Sequence, residues 1–482
     1  MRLKQALADF FKLIGGRGLA SLLQLAILAV LARSTSVDQF GVFALALTWG
    51  AFAGLAIDLG LNQLVVREIG SGTHAPAAVF TGGLKLRALM AIPVLVFAAG
   101  VARLAYDQSM LLPVILGCLV LMLRIVSEYC SAVLVSFRRA WPAAAGMIAP
   151  NLLALILISF LAVFRINSVS LFLCAYFIAA ALAASSMCAL TVRSATADAA
   201  HHDALPLLGL LRQAVPYAMF PLGSLLYFPG DAILISFFAA PAEVGLYQAA
   251  ERLILALDSI GLALLMLTLP RFSQAYYHSE DELERIAAPY RKLVLLGVLP
   301  GALAIGTLAP TIIRVAYGPS YHQAASVLPV LAVVAAARTF NALLTSELVA
   351  RGRQGWLSMI VWIVSPLQAL AAWLLLPHMQ WTAMAWIVVG TNLVITGALA
   401  LSLFRGRVGH SGYALRWTVA AAAGVSAAWG TWSLGQLAAL VAGLAVYGIA
   451  GLLLHILPEG LAPSRLARVA GVAQAGPQAE KS

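Results

Sequence analysis

Apolar runs of about 20 residues recur along the whole chain, and they constrain its fold more than any other feature of the sequence. A helix of that length crosses the roughly 30 Å hydrocarbon core of a bilayer. Hydrophobic residues make up 62% of the chain and charged residues only 10%, whereas a soluble domain is about one quarter charged. The alternating strands of a membrane β-barrel are not visible. The sequence therefore predicts an all-α integral membrane protein.

The apolar pattern predicts about 14 transmembrane helices, joined by short connections that leave no room for a soluble domain. We place these spans at residues 10–32, 40–66, 83–104, 110–137, 143–164, 168–192, 208–238, 244–272, 288–316, 323–350, 356–377, 381–404, 413–433 and 436–457. Pro229-Gly230 and Pro241 interrupt the helical pattern near the middle of the chain, so we expect a broken helix there.

The positive charges predict the orientation of these spans. Of the 30 lysines and arginines, 22 fall on one side of the predicted spans and four on the other. The positive-inside rule then places both termini in the cytoplasm, and the net charge of +11 needs no nucleic-acid partner. The amphipathic N-terminal segment enters a full-length span without a cleavage site, so we interpret it as an uncleaved signal-anchor.

A weak internal repeat predicts two lobes. Residues 39–43 (QFGVF) open the second span and residues 243–247 (EVGLY) open the eighth, while Arg124 and Arg338 lie in the fourth and tenth. Two six-span copies of equal orientation are related by an axis along the membrane normal. We therefore expect pseudo-symmetric six-helix lobes at 1–206 and 207–410, two further transmembrane helices packed through small residues at 411–457, and a cytoplasmic tail at 458–482.

No motif for catalysis, a cofactor or a metal is present in the sequence. A GxxxxGK[ST] phosphate loop is missing, and Gly15-Gly16-Arg17-Gly18 opens a membrane span without a preceding strand, which favours helix packing. The cysteines lie in apolar runs without metal-ligand spacing, so we interpret them as buried hydrophobic residues; they are Cys118, Cys130, Cys174 and Cys188. The acidic cluster at 280–284 is interpreted as a solvated loop or short surface helix without a specific role.

Ionisable residues inside the apolar runs are the candidates for function, because each costs about 2.5–3.5 kcal/mol to insert into a membrane. They are Arg17, Asp58, Arg124, Glu128, Asp231, Glu251, Arg252, Asp258, Arg338 and Glu347. Guanidinium groups bind phosphate and diphosphate in a bidentate manner, so the deep arginines favour an anionic cargo. Carboxylates are present as well, so a cationic cargo stays open.

Several of these residues have a structural interpretation beside the functional one. Arg124 and Glu128 are four residues apart and can pair on one helix, whereas Arg338 has no acidic residue within a turn of its own helix. Asp231 can cap the broken helix or couple transport to an ion. Glu251 and Arg252, with Asp258, can form either a polar network between the lobes or a site.

Taken together and in order, several short motifs resemble those of the polysaccharide-biosynthesis, O-antigen-type flippases of the multidrug/oligosaccharidyl-lipid/polysaccharide exporter superfamily. The resemblance covers roughly residues 10–410. Its motifs are Leu31-Ala32-Arg33 with Phe40-Gly41-Val42-Phe43, Asp58-Leu59-Gly60-Leu61 with Val66-Arg67-Glu68, Tyr227 and Asp231, Glu243-Val244-Gly245-Leu246-Tyr247 with Ala249-Ala250-Glu251-Arg252, and Tyr317-Gly318-Pro319-Ser320-Tyr321 with Ala324-Ala325.

The resemblance implies a V-shaped, MATE-like bundle that works by alternating access in the bacterial inner membrane. The implied cargo is an undecaprenyl-diphosphate-linked oligosaccharide, such as an O-antigen, exopolysaccharide or capsule repeat unit, and the implied partners are membrane lipids and a glycan polymerase or glycosyltransferase complex. By this analogy the anionic head is bound by Arg17, Arg124, Arg338 and Arg252. An H⁺ or Na⁺ gradient is coupled through Asp58, Asp231, Glu251, Asp258 or Glu128.

Three alternatives remain at the level of the sequence. A lipid II flippase of the same superfamily is one, although the arginine-rich first-span motif of that group is not evident here. A cation-coupled drug exporter is the second, and a non-transporting membrane scaffold for glycan synthesis is the third.

Overall fold

The computed structural model is helical throughout the part of the chain that it describes, which comprises residues 2–71, 75–137, 139–196, 207–224, 227, 230–404 and 411–453. This part contains sixteen α-helices and no strand: α1 Arg2–Ser34, α2 Val37–Asp58, α3 Leu61–Ser71, α4 Pro76–Ala105, α5 Leu111–Ser136, α6 Ala140–Val163, α7 Val169–Thr196, α8 Leu207–Gly223, α9 Gly230–Ser236, α10 Pro241–His278, α11 Glu280–Tyr317, α12 Leu328–Ala350, α13 Gln354–Leu375, α14 Ala383–Phe404, α15 Ser411–Gly430 and α16 Gln436–Leu453. The predicted tail at 458–482 lies outside the described residues.

The helices follow the apolar runs of the sequence. Among the described residues, 11 helical segments are long and apolar enough to cross a membrane, and two shorter apolar helical segments lie at Val419–Gly430 and Gln436–Ala450. The prediction of an all-α integral membrane protein is confirmed, whereas the exact number of 14 spans stays a prediction.

The predicted interruptions near the middle of the chain are confirmed: α9 begins at Gly230 and α10 begins at Pro241. A further break was not predicted. The span at 40–66 is divided into α2 and α3 at Leu59 and Gly60, whose φ angles are 46° and 73°. Gly60 tolerates this left-handed backbone because it has no Cβ, and a Cβ there would lie 2.6 Å from the carbonyl carbon of Tyr217.

Helix α2 is buried along most of its length, and glycines bring neighbouring backbones close to it. A Cβ on Gly50 would lie 2.2 Å from the carbonyl oxygen of Gly117 in α5, and one on Gly117 would lie 2.1 Å from the oxygen of Ala46. Small residues at such crossings allow the close van der Waals contact that holds helices together in a bilayer. The packing of α2 against α5 therefore depends on the absence of side chains at these positions.

The first turns of α2 and α10 make an equally close contact. Ser36 caps α2 in a capping box with Gln39, which fixes where this helix begins. A Cβ on Gly41 would lie 1.8 Å from the carbonyl oxygen of Pro241, and one on Gly245 would lie 3.0 Å from the Cα of Gly41. Gly41 and Gly245 occupy the same place in the two repeated segments at 39–43 and 243–247, so the repeated motifs contact each other.

The chain divides into two compact units. The first comprises Met1–Ser259, Pro310–Leu331 and Gly355–Ile395, and the second comprises Ile260–Ala309, Ala332–Gln354 and Thr396–Ser482. The lobes proposed at 1–206 and 207–410 stay a prediction.

In the second unit, α15 and α16 pack against each other at Gly424 and Gly443. A Cβ on either glycine would lie 3.0 Å from the carbonyl oxygen of the other. The prediction that the last two helices pack closely through small residues is therefore confirmed.

We predict that Gly41→Ala destabilises the protein, because the new methyl group would overlap the backbone of α10 and force the two helices apart. Overpacking of this kind lowers the free energy of unfolding by about 1–3 kcal/mol. The measurement is the melting temperature of the purified protein in detergent, which should be lower for the variant than for wild type. Gly390→Ala is the matched control, since Gly390 is a helical glycine with open space around it. Equal melting of the two variants would contradict the prediction.

Candidate functional site

Arg124 pairs with Glu128 in the middle of α5, as the four-residue spacing predicts. Arg124 Nε lies 3.8 Å from Glu128 Oε1, and both side chains are about one third exposed. Arg124 Nη1 also donates a hydrogen bond of 3.4 Å to Gln24 Oε1 of α1. The pairing is confirmed, and because it is partly open, the guanidinium of Arg124 stays accessible on one side.

Two of the other three arginines assigned to the anionic head, Arg17 and Arg338, lie in different units. Arg17 is exposed on α1 in the first unit, next to Gly16, which packs against Ala144. Arg338 lies midway along α12 in the second unit and is 9% exposed.

Asp231 is almost fully buried near the start of α9, with 1% of its surface exposed. Its Oδ1 accepts a 2.9 Å hydrogen bond from the backbone N–H of Ala232, and its Oδ2 accepts one of 2.9 Å from the hydroxyl of Tyr247 in α10. The side chain thus contacts the backbone at the start of α9 and joins α9 to α10.

Glu251 lies two turns beyond the glycine contact on α10 and is 3% exposed. It accepts a hydrogen bond from the amide of Gln248, which is also buried. Arg252 is half-buried beside it. Asp258 lies further along α10, and its side chain is outside the described residues.

Asp58 forms a buried salt bridge with Arg87, which lies near the start of the predicted span at 83–104 and was not among the candidate residues. Arg87 Nη2 in α4 donates to Asp58 Oδ1 at 2.6 Å and to Asn62 Oδ1 at 3.1 Å. The guanidinium carbon lies 3.9 Å from the centre of the Tyr129 ring, a cation–π contact. Arg87 is 1% exposed, so it is a core residue of the first unit and was missed because it lies near the edge of an apolar run.

The second unit contains a corresponding buried arginine. Arg291 in α11 donates to Glu347 Oε2 of α12 at 2.7 Å and also pairs with Glu284. The offset in sequence from Arg87 to Arg291 equals the offset from Gly41 to Gly245 in the repeat. This equal offset is the sequence signal that predicts a second buried arginine.

The acidic cluster at 280–284, interpreted as a solvated loop or short surface helix without a specific role, is helical and does have a role. It forms the first turns of α11. Arg351 Nη2 donates to Glu280 at 2.9 Å, and Glu284 pairs with the buried Arg291. These carboxylates therefore neutralise arginines of the second unit.

An aromatic cluster of Phe40, Tyr317 and Tyr321 covers the start of α2. The Phe40 ring centre lies 6.0 Å from that of Tyr317 and 5.4 Å from that of Tyr321. Tyr321 is in the 3-10 turn Pro319–Ser326 between α11 and α12. Burial raises the pKa of the Tyr321 hydroxyl, so this group stays protonated and is a hydrogen-bond donor.

Contacts around this aromatic cluster join connections that the sequence analysis placed on the side opposite the termini. Arg33 donates to the carbonyl oxygen of Val315, and Gln39 Nε2 donates to that of Asn167 at 3.2 Å.

Within the described residues, no group of three His, Cys, Asp or Glu side chains is arranged to hold a metal ion. The four cysteines are free: Cys118 and Cys130 are buried and Cys174 and Cys188 are partly buried.

Two solved structures show what kind of protein has this fold. The lipid II flippase MurJ in an inward closed conformation superimposes with a TM-score of 0.71 at 14% identity, covering 94% of this chain and 98% of that one. An inward-facing MATE family multidrug resistance transporter superimposes with a TM-score of 0.65 at 14% identity, covering 81% of this chain and 96% of that one. The chain therefore shares the fold of these two proteins.

The sequence profile of the polysaccharide biosynthesis protein family matches residues 6–276. The chain belongs to this family, so the resemblance drawn from its motifs is confirmed. The amylovoran biosynthesis protein AmsL of Erwinia amylovora is 27% identical over 150 residues, which is 30% of this chain. The match spans 38% of the length of that relative.

We predict that Asp58→Asn strongly destabilises the first unit, because it leaves the Arg87 guanidinium buried without a charged partner. Breaking a buried pair in this way costs about 3–5 kcal/mol, measured by thermal melting in detergent. The double variant Asp58→Leu/Arg87→Met should recover part of the loss. Glu282→Ala is the control, since its pair with the exposed Arg285 contributes at most about 1 kcal/mol. Equal effects of Asp58→Asn and Glu282→Ala would refute this role.

Proposed function

We propose that this protein is a flippase that moves an undecaprenyl-diphosphate-linked oligosaccharide across the bacterial inner membrane by alternating access. The cargo is a repeat unit of an O-antigen, exopolysaccharide or capsule, and the protein carries no catalytic centre of its own. Both termini lie in the cytoplasm. The family match and the transporter fold support the class of cargo and the mode of action.

The observation that carries the proposal is the burial of Arg338 midway along the apolar helix α12, where it is 9% exposed. An arginine in the middle of a membrane span is costly and marks a site for a polar cargo or a coupled charge. Guanidinium stays charged and binds two phosphate oxygens at once. We therefore assign Arg338 to the diphosphate of the cargo, with Arg17, Arg124 and Arg252 as further cationic contacts.

The coupling ion, H⁺ or Na⁺, is assigned to Asp231 and Glu251 ahead of the other candidate carboxylates. Asp58 and Glu128 each pair with an arginine in this conformation. Asp231 and Glu251 are 1% and 3% exposed and accept hydrogen bonds from the side chains of Tyr247 and Gln248. Asp258 stays a candidate by its place in α10.

A lipid II flippase is the second candidate, and it is favoured by the similarity of fold to MurJ over 94% of the chain. Its cargo also carries a diphosphate on a polyprenyl chain, so the same arginines would serve. The sugar part of the intermediate that accumulates in depleted cells distinguishes the two functions.

We predict that cells depleted of this protein accumulate polyprenyl-linked oligosaccharide on the cytoplasmic leaflet, and that Arg338→Ala fails to restore its normal sidedness. The lost contacts to a charged diphosphate predict at least a tenfold lower rate of translocation, by the strength of charge-assisted hydrogen bonds. The measurement is the accessibility of the glycan to a membrane-impermeant reagent. Arg338→Lys should restore part of the activity, and Arg285→Ala, on the exposed surface of α11, should restore all of it.

Unchanged sidedness after depletion would refute the flippase, and full activity of Arg338→Ala would favour the scaffold. Efflux of a cationic drug that depends on Asp231 and not on the arginines would favour the drug exporter.

For ion coupling, we predict that Asp231→Asn and Glu251→Gln abolish the stimulation of transport by a proton or sodium gradient in proteoliposomes. The amides cannot exchange a proton or carry the charge that binds Na⁺, while they retain the size of the side chain. Asp38→Asn is the control because Asp38 is exposed at the start of α2. Full stimulation of both variants would exclude these two carboxylates.

A further inference from the structure

Two tyrosine hydroxyls lie buried in the first unit without a hydrogen-bond partner in the described part of the chain. They belong to Tyr317, at the end of α11, and to Tyr321, four residues later. The side chains are 2% and 0% exposed. Most buried polar groups in native proteins have a partner, so each exception calls for an explanation.

The rings of these tyrosines account for the packing, and the hydroxyls do not. The two ring centres lie 5.6 Å apart, and Phe40 packs against both. Phenylalanine at either position would keep these ring contacts and avoid the cost of burying an unsatisfied hydroxyl. The hydroxyls therefore destabilise this conformation, and a functional role for them requires a conformation in which they are exposed.

A positively charged residue of the same unit lies on the helix that contacts the turn carrying Phe40. Arg252 is half-buried on α10, two turns beyond Gly245, whose backbone contacts Gly41, and its charge acts on the Tyr317 phenol. Tyrosine O–H groups donate hydrogen bonds to phosphate oxygens, and a guanidinium adds a charge-assisted contact.

A movement of the start of α2 would displace Phe40 from Tyr317 and Tyr321. It precedes Gly41, whose contact with α10 depends on glycine alone, and it lies in the first turn of α2 after the Ser36 cap. Withdrawal of this turn from α10 carries the Phe40 ring away from both tyrosines. In the predicted topology this end of the unit lies on the side opposite the termini, where the cargo is released.

We propose that Tyr317, Tyr321 and Arg252 form a second binding site for the phosphate groups of the cargo, which Phe40 covers in this conformation and which opens when α2 moves. This inference rests on the proposed flippase function. The site holds the anionic head while it passes to the outer leaflet, after it leaves Arg338, Arg17 and Arg124, and Arg252 contacts the head at both stages.

The test compares wild type with the double variant Tyr317→Phe/Tyr321→Phe, each also in an Arg338→Ala background that removes the first diphosphate contact from the binding measurement. It uses the full chain in phosphatidylcholine nanodiscs and undecaprenyl diphosphate as the probe. Loss of two donors to a charged group predicts about tenfold weaker binding and a comparable loss of translocation in cells. The melting temperature of the variant should equal or exceed that of wild type, because two unsatisfied hydroxyls are removed. Tyr447→Phe is the control, since Tyr447 donates to the carbonyl oxygen of Leu295 in the second unit.

The outcomes separate the two proposals. If wild type itself does not bind undecaprenyl diphosphate, the proposed cargo is wrong. If wild type binds it and the double variant binds it equally well, the second site is refuted while the flippase stands. If the variant loses only a stabilisation caused by phosphatidylglycerol in the nanodisc, the tyrosines bind the head group of a bulk lipid, which overturns their assignment to the cargo.

Discussion

The first unit depends on close contact between helix backbones along α2. Helices in a bilayer gain little from hydrophobic burial against each other, so their association relies on tight van der Waals packing. Glycines at two levels of α2 permit this packing, against α5 at Gly50 and against α10 at Gly41. The contact with α5 is buried in the centre, whereas the contact with α10 joins two helix starts. Separating the ends of two helices breaks fewer contacts than separating two whole helices. The α2–α10 contact is therefore better suited to open than the α2–α5 contact.

The arginines of the apolar helices differ in how completely a carboxylate neutralises them and in how deeply they are buried. Arg87 and Arg291 occupy equivalent places in the repeat, and each lies against a carboxylate of its own unit. Such pairs contribute to one arrangement of helices, because separating them would leave a buried charge. Arg124, whose pair with Glu128 is partly exposed, keeps its charge accessible. The position of an arginine within an apolar run does not distinguish the buried, paired arginines from the accessible one. The carboxylate that approaches it from another helix does.

Much of the fold follows from periodicity and composition, and part of the candidate site does as well. The apolar runs predicted the long helices, Pro241 predicted the start of α10, and the four-residue spacing predicted the pair of Arg124 with Glu128. The break at Gly60 was missed because a hydrophobic run continues across it. The pairs of Arg87 with Asp58 and of Arg291 with Glu347 were missed because their partners are distant in sequence. The role of Glu280 was missed for the same reason, since it pairs with Arg351.

The sequence by itself determined that this protein is a helical membrane protein of the polysaccharide biosynthesis family, because the length of an apolar run and the order of short motifs are local properties. Only the tertiary structure decided which charges neutralise each other, that Gly41 contacts Gly245, and that the Tyr317 and Tyr321 hydroxyls are buried while their rings pack against Phe40. These features arise between helices that are far apart in the chain. Their energies depend on distance and burial, which no single segment specifies.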